Sequence, residues 1–275
     1  MEQAIALKGV GNARQLGGYR IGNRRVRDGV LLRTAALDRI APEAVEALQR
    51  QYRLQTVVDL RMSVESDRLP DPVIPGAQNL RLPVIEMEDM LATIPGGVDP
   101  KLTALFKDPN GDRMALFNMA YESGFLNDQI YVGFLLEERG RAAYRAFFQA
   151  LLGLDEGRAI LWHCTDGKDR TGCAAMLTLF ALGADRETVY HDYLLTNAFN
   201  ARMIEAVRQR VAPLGFSEDK LNALLIMTGA VARGYMDNAL DALEREFGGV
   251  EGYLSEALGV GDEEKACLRR KFLTE

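Results

Sequence analysis

The sequence predicts an α/β fold in which a mostly parallel central sheet is flanked by helices. Three short segments rich in apolar and β-branched residues, 56–60, 79–84 and 159–163, are typical of buried strands. Helical patterns separate these segments, and such alternation favours parallel pairing through crossover connections. The segment 171–182 is apolar nearly all round, which predicts a helix buried against the sheet.

The elements that precede the first long strand are predicted to be short. Brief apolar runs separated by turn signals indicate small strands that lead to a strand at residues 30–33. Pro42 stands at a first helical position, so a helix is expected to continue from there to about Arg50. The turn signals are Gly17-Gly18, Gly22-Asn23 and Asp28-Gly29.

Residues 85–130 interrupt this alternation and form a candidate lid insertion. Chain breakers such as Pro95-Gly96-Gly97 and Asp108-Pro109-Asn110-Gly111 separate short helical stretches that contain several methionines. An ordinary surface insertion explains the same composition, and both interpretations stay open at this point.

The remainder of the chain is predicted to be almost entirely helical. Gly183 is the expected C-cap of the buried helix, because a left-handed residue commonly ends a helix. With 275 residues, 48% of them hydrophobic, and no linker or repeat, the chain is expected to form one domain over residues 1–275.

Charge and cysteine content limit the partners and the compartment. A net charge of −6 argues against nucleic acid or an anionic membrane as a general partner. The three cysteines do not make a disulfide framework, and a reactive thiol needs reducing conditions, so a cytoplasmic location is expected. No apolar leader segment follows Met1, and the longest uncharged run, 171–184, is too short for a membrane span; secretion without a cleavable signal stays open.

A cysteine and an arginine with five residues between them carry the strongest functional signal. Cys164 and Arg170 lie between the predicted strand 159–163 and the buried helix, so the loop that joins them can turn its backbone N–H groups toward an anion. A helix N-terminus can lower a thiol pKa into the range of about 3.5–7.5, which makes Cys164 a candidate nucleophile. The planar guanidinium of Arg170 suits bidentate binding of phosphate. This pattern predicts a phosphate site that contains a nucleophile.

Neighbouring residues fit the same chemistry. Gly167 gives the loop the conformational freedom to close, and Thr165 and Lys168 complete the predicted phosphate cradle. Thr171 is expected to cap the helix or hydrogen-bond the sulfur, while His163 is expected to orient the loop rather than move protons. Two other classes are weaker: a rhodanese-type sulfurtransferase would not usually carry Gly-Lys-Asp-Arg-Thr-Gly, and a phosphate-binding module without turnover should have lost the thiol or the acid.

The chain resembles the atypical bacterial tyrosine phosphatases, whose loop reads His-Cys-x-x-Gly-Lys-Asp-Arg-Thr-Gly. Further similarity lies at residues 12–19, at Val57-Val58-Asp59-Leu60-Arg61 with Glu65 four residues later, at residues 192–197 and at the tail from 253 to 260. The resemblance implies a cysteine-phosphatase fold and activity toward phosphoproteins and phosphoinositides. It also places Arg14, Asp59 and Arg61 around the substrate, and Arg33 lies in another segment expected around the active site, so a basic pocket can exist in an acidic protein. Gln15 and Asp166 depart from the family's usual residues.

The general acid is the least determined part of the predicted site. A Trp-Pro-Asp tripeptide, the usual source of this acid, is absent. The resemblance places the acid at Asp169, and Asp166 is the second candidate, since myotubularin lipid phosphatases also carry an aspartate at that position. Asp59 and Asp128 are further candidates, and each loop carboxylate could instead only shape the loop.

The predicted reaction is hydrolysis of phosphotyrosine, and potentially of phosphoserine and phosphothreonine, through a phosphocysteine intermediate. A phosphoinositide phosphatase that uses the same loop is the alternative, with Lys168 supplying extra positive charge. No Cys/His cluster has metal-ligand spacing, so neither a metal nor another cofactor is predicted. Cys173 is expected to fill the core, with a protective role toward Cys164 as the minor alternative. His191 is expected to be structural, and the oligomeric state is left open.

Overall fold

A five-stranded sheet forms the centre of the computed structural model, which describes residues 2–92, 101, 104–105, 111–124 and 126–274. Its strands lie in the order β1-β4-β7-β5-β6, and the last four are parallel, with β1 antiparallel to β4 at one edge. A separate hairpin pairs β2 with β3. The strands are β1 Arg14–Gln15, β2 Arg20–Ile21, β3 Arg24–Arg25, β4 Leu31–Thr34, β5 Leu54–Asp59, β6 Gln78–Arg81 and β7 Ala159–His163.

Helices cover both faces of the sheet and make up nearly all of the C-terminal part. The longer helices are α1 Pro42–Arg50, α2 Ser63–Arg68, α3 Met87–Ala92, α4 Arg113–Glu122, α5 Ile130–Leu136, α6 Glu138–Leu152, α7 Asp169–Leu182, α8 Arg186–Phe199, α9 Ala201–Val211, α10 Glu218–Thr228, α11 Arg233–Phe247 and α12 Asp262–Phe272. Among the described helices, none combines the length and apolar character that a membrane-spanning helix requires.

Two apolar clusters, one on each face, hold the sheet in place. Ile160 and Trp162 of β7 belong to the larger cluster, with α6, α7 and the C-terminal helices, whereas Leu161 packs with α1 in the smaller one. This alternation follows from the twofold repeat of a strand, because successive side chains point to opposite faces. The predicted α/β fold with a mostly parallel sheet is therefore confirmed.

The central helix α7 is buried along almost its whole length, as its apolar sequence predicts. It begins at Asp169, two residues earlier than expected, and ends where Gly183 adopts a left-handed φ of 96°. The segment predicted as strand 79–84 is shorter in the structure, since β6 ends at Arg81. β6 is an edge strand that pairs only with β5, and its pairing stops where β5 itself ends at Asp59.

The candidate lid contains two described helices, α3 and α4; residues 93–100, 102–103, 106–110 and 125 lie outside the described part of the chain. Phe117 of α4 is fully buried against Val211 and Leu224 of the C-terminal helices. Whether residues 85–130 act as a lid, and whether the chain is one domain, stay predictions.

Candidate active site

The candidate active site lies at the carboxyl ends of the parallel strands. β7 ends at His163 and α7 begins at Asp169, so the intervening loop stands directly over the helix N-terminus. Cys164 is the first loop residue and only 1% exposed, which places it at the bottom of the loop. The unpaired N–H groups of the first helical turn favour an anion here.

A glycine is required at the tip of this loop. Gly167 has a φ of 63°, and a Cβ at this position would overlap the carbonyl group of Thr34 on β4. Three side-chain hydrogen bonds fix the loop backbone: Asn12 Nδ2 donates to the carbonyls of Gly167 (2.8 Å) and Asp166 (3.3 Å), and Arg33 Nη2 donates to that of Gly167 (2.9 Å). The loop is thus held from behind by side chains from the first 33 residues.

Arg170 is held in a bidentate pair with Glu65 of α2. Nη1 lies 2.6 Å from Oε2, and Nη2 lies 3.2 Å from Oε1. Burial would lower the pKa of Arg170, but the Glu65 carboxylate more than offsets this effect and raises the pKa. Burial alone would raise the pKa of Glu65, but the contact with Arg170 lowers it below its ordinary value. Thr165 Oγ1 also donates to this carboxylate, so Glu65 joins the two ends of the loop.

A buried ion network lies behind the loop. Arg14 and Arg33 are both fully buried and share the carboxylate of Asp192 on α8, with Arg14 Nε 3.1 Å from Oδ1. Burial, and then the neighbouring Arg33, lower the pKa of Arg14 to about 10. Burial acts to raise the pKa of Asp192, and the two guanidinium groups hold it below its usual range. The structure therefore places Arg14, which the resemblance assigned to the substrate, beneath the loop rather than in the open site.

Arg61 and Asp59 form a second buried network at the end of β5. Arg61 donates to both oxygens of Asp59 at 2.8 Å and to Asp71 at 2.9 Å. Burial would raise the pKa of Asp59, but the Arg61 hydrogen bond, followed by His163, lowers it to about 2. A carboxyl group with such a pKa has no proton to give near neutral pH, which argues against Asp59 as the acid.

His163 links this network to the nucleophile. Its Nε2 lies 2.9 Å from Asp71 Oδ2, and its Nδ1 lies 3.1 Å from the carbonyl oxygen of Cys164. The ligand atoms of Asp59, Asp71 and His163 lie within 4.8 Å of one another, a spacing that could hold a metal ion. The Arg61 guanidinium, however, already provides the positive charge between the two carboxylates.

Asp169 has the surroundings of a positioned functional carboxylate. Tyr131 on α5 donates its hydroxyl hydrogen to Oδ1 at 2.6 Å, and Tyr193 on α8 donates in turn to Tyr131 at 3.0 Å. Lys168 Nζ lies 3.1 Å from Oδ2. The side chain of Asp169 nevertheless keeps 28% exposure, so a leaving group can reach it.

Asp166 differs in its electrostatics. Burial raises the pKa of this carboxyl group, and the nearby negative charges of Asp169 and Glu65 act in the same direction. Lys168 and Arg170 act against the rise. A raised pKa is a property that a general acid needs.

Lys168 points away from the cradle. Nζ donates to the carbonyls of Ile226 (2.6 Å) and Ala230 (3.4 Å), and the residue is 4% exposed. Its charge thus ties the loop to the end of α10.

Thr171 has a buried hydroxyl oxygen for which no hydrogen-bond partner exists in the described part of the chain. Its carbonyl accepts the Nε1 hydrogen of Trp162 at 3.2 Å, and Trp162 is fully buried against Phe147. Cys173 is fully buried in the main core, and burial raises the pKa of its thiol.

The two remaining candidates lie at the surface. Asp128 is exposed in the turn before α5. His191 is exposed on α8, where its ring makes an edge contact with that of Tyr19.

Several residues of the site carry no functional signal of their own in the sequence. Glu65 and Asp192 stand in the segments that support the resemblance, but their partners lie 105 and 178 positions away. Asn12 is detectable only as part of the N-terminal segment 12–19. Tyr131 and Asp71 lie outside every motif, and only the folded chain brings them to the loop.

Comparison with known proteins gives a consistent result. The model of the tyrosine phosphatase family matches residues 5–274. A Cupriavidus necator protein whose name marks it as a candidate tyrosine-protein phosphatase is 30% identical over 98% of this chain and 88% of its own length. The triple specificity protein phosphatase PtpB of Mycobacterium tuberculosis is 28% identical over 84% of this chain and 87% of its own length. A tyrosine-protein phosphatase of Nostoc commune is 30% identical over 46% of this chain and 42% of its own length.

Proposed function

This chain belongs to the tyrosine phosphatase family and is therefore a phosphatase, and we propose that it hydrolyses phosphotyrosine residues with Cys164 as nucleophile, through a phosphocysteine intermediate. Phosphoserine and phosphothreonine are further substrates in this proposal. The observation that carries it is the position of Cys164, buried at the base of a loop over the N-terminus of α7 with Arg170 fixed beside it.

In the first step, the Cys164 thiolate attacks phosphorus and the bond to the leaving oxygen breaks. Asp169 gives that oxygen a proton, so the product leaves as a neutral phenol or alcohol. In the second step, Asp169 takes a proton from water, the oxygen of which attacks phosphorus. The phosphorus–sulfur bond breaks, inorganic phosphate forms and the thiolate is restored.

Glu65 pairs with the Nη1 and Nη2 side of the Arg170 guanidinium and fixes its orientation before substrate arrives, and the remaining N–H donors of that group bind two phosphate oxygens. The loop and helix N–H groups bind the remaining oxygens. The unpartnered hydroxyl of Thr171 is available to hydrogen-bond the sulfur as it leaves phosphorus. These groups stabilise the charge that develops on the transferred phosphoryl group.

Asp169 is the acid in this proposal because two tyrosines fix it while it stays accessible. Asp166, with its raised pKa, is the second candidate. The buried networks of Arg14 with Arg33 and of Arg61 with Asp59 act as supports of the loop rather than as substrate ligands. A reducing cytoplasmic compartment, which keeps the thiol active, belongs to the same proposal.

The phosphoinositide alternative rests on the family resemblance and on Lys168 as an additional charge in the cradle. Since Nζ already binds two backbone carbonyls and Asp169, its charge is not directed at a second phosphate group. We therefore favour phosphoproteins.

A turnover panel tests the proposal. Peptides carrying phosphotyrosine, phosphoserine or phosphothreonine, together with soluble phosphoinositides, are compared by kcat/KM, and acid quenching followed by mass spectrometry detects phosphocysteine. We expect the highest kcat/KM for a phosphotyrosine peptide and a phosphate adduct on Cys164. Preference for a phosphoinositide contradicts the substrate assignment, and turnover of phosphotyrosine without any adduct contradicts the mechanism.

A further inference from the structure

A second cleft lies at the amino ends of the parallel strands, on the edge of the sheet opposite to Cys164. It has a volume of about 760 Å³, within the usual range of small-molecule sites. Residues just before β4, β5 and β7 form its walls together with α12. We call it the posterior cleft. It is lined by Arg27, Asp28, Gly29, Val30, Gln51, Tyr52, Arg53, Leu154, Asp155, Glu156, Gly157, Arg158, Cys267, Arg270, Lys271, Phe272 and Thr274.

Positive charge dominates this lining, with five Arg or Lys residues against three carboxylates. Lys271 and Arg27 donate to backbone carbonyls, of Leu154 (2.6 Å) and Leu273 (2.9 Å) respectively. The other three cations, Arg53, Arg158 and Arg270, have no such short hydrogen bond to the described residues.

Arg53 and Arg270 are exposed, and neither guanidinium group has a hydrogen-bond or ion-pair partner among the described residues. Arg158 makes one long hydrogen bond, 3.4 Å from Nη2 to the carbonyl of Leu54, while its Nε atom is buried without a partner. A buried unpaired donor is costly, and an acceptor bound in the cleft would relieve that cost.

The backbone of Arg53 supplies an independent observation. Its φ is 51°, in the left-handed region that a side chain rarely adopts, and the pairing of β5 with β7 becomes irregular directly after it. Elsewhere in the described chain, Asn12 is the one other non-glycine residue with positive φ, and its side chain holds the catalytic loop. Glycine would adopt this conformation without strain, whereas this chain carries an arginine here, and that arginine lines the cleft.

The same cleft also offers apolar surface. Tyr52 is half-buried, and Val30, Leu154 and Phe272 line the walls beside it. An aromatic or apolar body can pack there while the cations bind an anionic group.

We propose that the posterior cleft binds a small organic phosphate, with Arg53, Arg158 and Arg270 on the phosphate and Tyr52 against its aromatic or apolar body. Three guanidinium groups offer more donors than the two oxygens of a carboxylate accept, and this favours phosphate. The site is separate from the Cys164 loop and does not depend on the proposed reaction.

Calorimetric titration with phenylphosphonate, an aryl phosphonate that resists hydrolysis, tests this proposal. We expect two equivalents to bind the wild-type protein. Arg53→Gly and Arg270→Ala should each weaken one equivalent by roughly tenfold or more, as expected for a lost hydrogen bond to a charged group. Arg170→Ala should weaken the other.

Arg210→Ala is the matched control, because Arg210 is an exposed arginine on α9 outside the cleft. It should keep both equivalents, and the cleft variants should keep wild-type turnover of an aryl phosphate. A single equivalent that Arg170→Ala weakens and the cleft substitutions leave unchanged, or a second equivalent that survives both cleft substitutions, overturns the proposal. Inorganic phosphate probes the charge alone, and if it binds the second site as tightly as phenylphosphonate, the role of Tyr52 is overturned.

Discussion

At the carboxyl ends of the parallel strands, the cations described around Cys164 have fixed partners, whereas at the amino ends Arg53 and Arg270 have none among the described residues. The first arrangement is buried and oriented in advance, which suits stabilisation of a transition state. The second is solvated and adaptable, which suits binding without chemistry. The same residue type therefore suits different purposes according to whether the fold has already paired it.

Replacement of the nucleophile should have the largest effect at the carboxyl edge. Cys164→Ser is expected to lower kcat by about 10³-fold or more, because a hydroxyl is far less readily ionised than a thiol. Phenylphosphonate binding at the active site should persist, since the cradle stays intact. Steady-state kinetics and calorimetry measure the two properties, with Cys267→Ser as the control for the kinetics alone; more than a small residual rate in Cys164→Ser would refute the covalent mechanism.

Loss of the acid should depend on the leaving group. Asp169→Asn is expected to lower kcat by roughly 10²–10⁴-fold for a poor, alkoxide-like leaving group and far less for an activated aryl phosphate. Asp166→Asn and Asp128→Asn are measured in parallel. If Asp169→Asn slows both substrates equally, Asp169 shapes the loop and is not the acid. The acid is then the aspartate whose asparagine variant shows the leaving-group dependence.

Removal of the charge that orients Arg170 should cost less, and equally for all substrates. Glu65→Gln is expected to lower kcat/KM by about 10- to 100-fold, because a misplaced guanidinium binds the transition state poorly whatever the leaving group. Glu43→Gln, in an exposed pair with Lys8, is the control. Unchanged kinetics in Glu65→Gln would show that positioning of Arg170 before substrate binds is unimportant, and the proposed difference between the two edges would then not hold.

Low pH should lower the free energy of unfolding through Asp59, which lies at the carboxyl ends of the strands. Asp59 has an ordinary pKa of 3.8 and a pKa of about 2 in the folded protein, so its ionised form stabilises the fold by about 2 kcal/mol above pH 4. This contribution is lost as pH falls toward 2, because the unfolded carboxyl group takes up its proton first. Urea midpoints at several pH values should show a smaller change over this interval in Asp59→Asn.

Asp67→Asn, in an exposed pair with Arg81, serves as the comparison for that measurement. An Asp59→Asn variant with the full acid dependence of the wild-type protein would show that Asp59 does not carry it.

The smallest effect is expected from a matched pair of glycine substitutions. Arg53→Gly relieves left-handed strain of about 1–2 kcal/mol but increases the freedom of the unfolded chain by about 0.5–1 kcal/mol, so the free energy of unfolding should rise by about 0.5 kcal/mol. Asn12→Gly, at a φ of 50°, relieves the same strain but removes the hydrogen bonds to the loop, and should lose both stability and activity. Equal changes in the free energy of unfolding and in activity for the two variants would remove the distinction between the two edges of the sheet.

The sequence predicts the elements better than the contacts. Strand β7 and the Gly183 cap follow directly from local pattern, and the loop between Cys164 and Arg170 is visible because all its residues are adjacent. The contact partners of the charged residues are harder to predict. Arg14 and Lys168 were expected near the substrate, but their partners come from α8 and from the end of α10, and no local pattern shows which charges will meet there. The end of β6 was misjudged because its length depends on the partner strand β5.

Trp162 has a practical consequence for spectroscopy. It is the single tryptophan of the chain, fully buried one position before His163, and its indole N–H donates to the carbonyl of Thr171 in the first turn of α7. Intrinsic fluorescence excited at the indole band therefore reports on one place only, the junction between the central strand and the phosphate loop. Emission changes on oxyanion binding and on unfolding can be assigned to that junction without labelling.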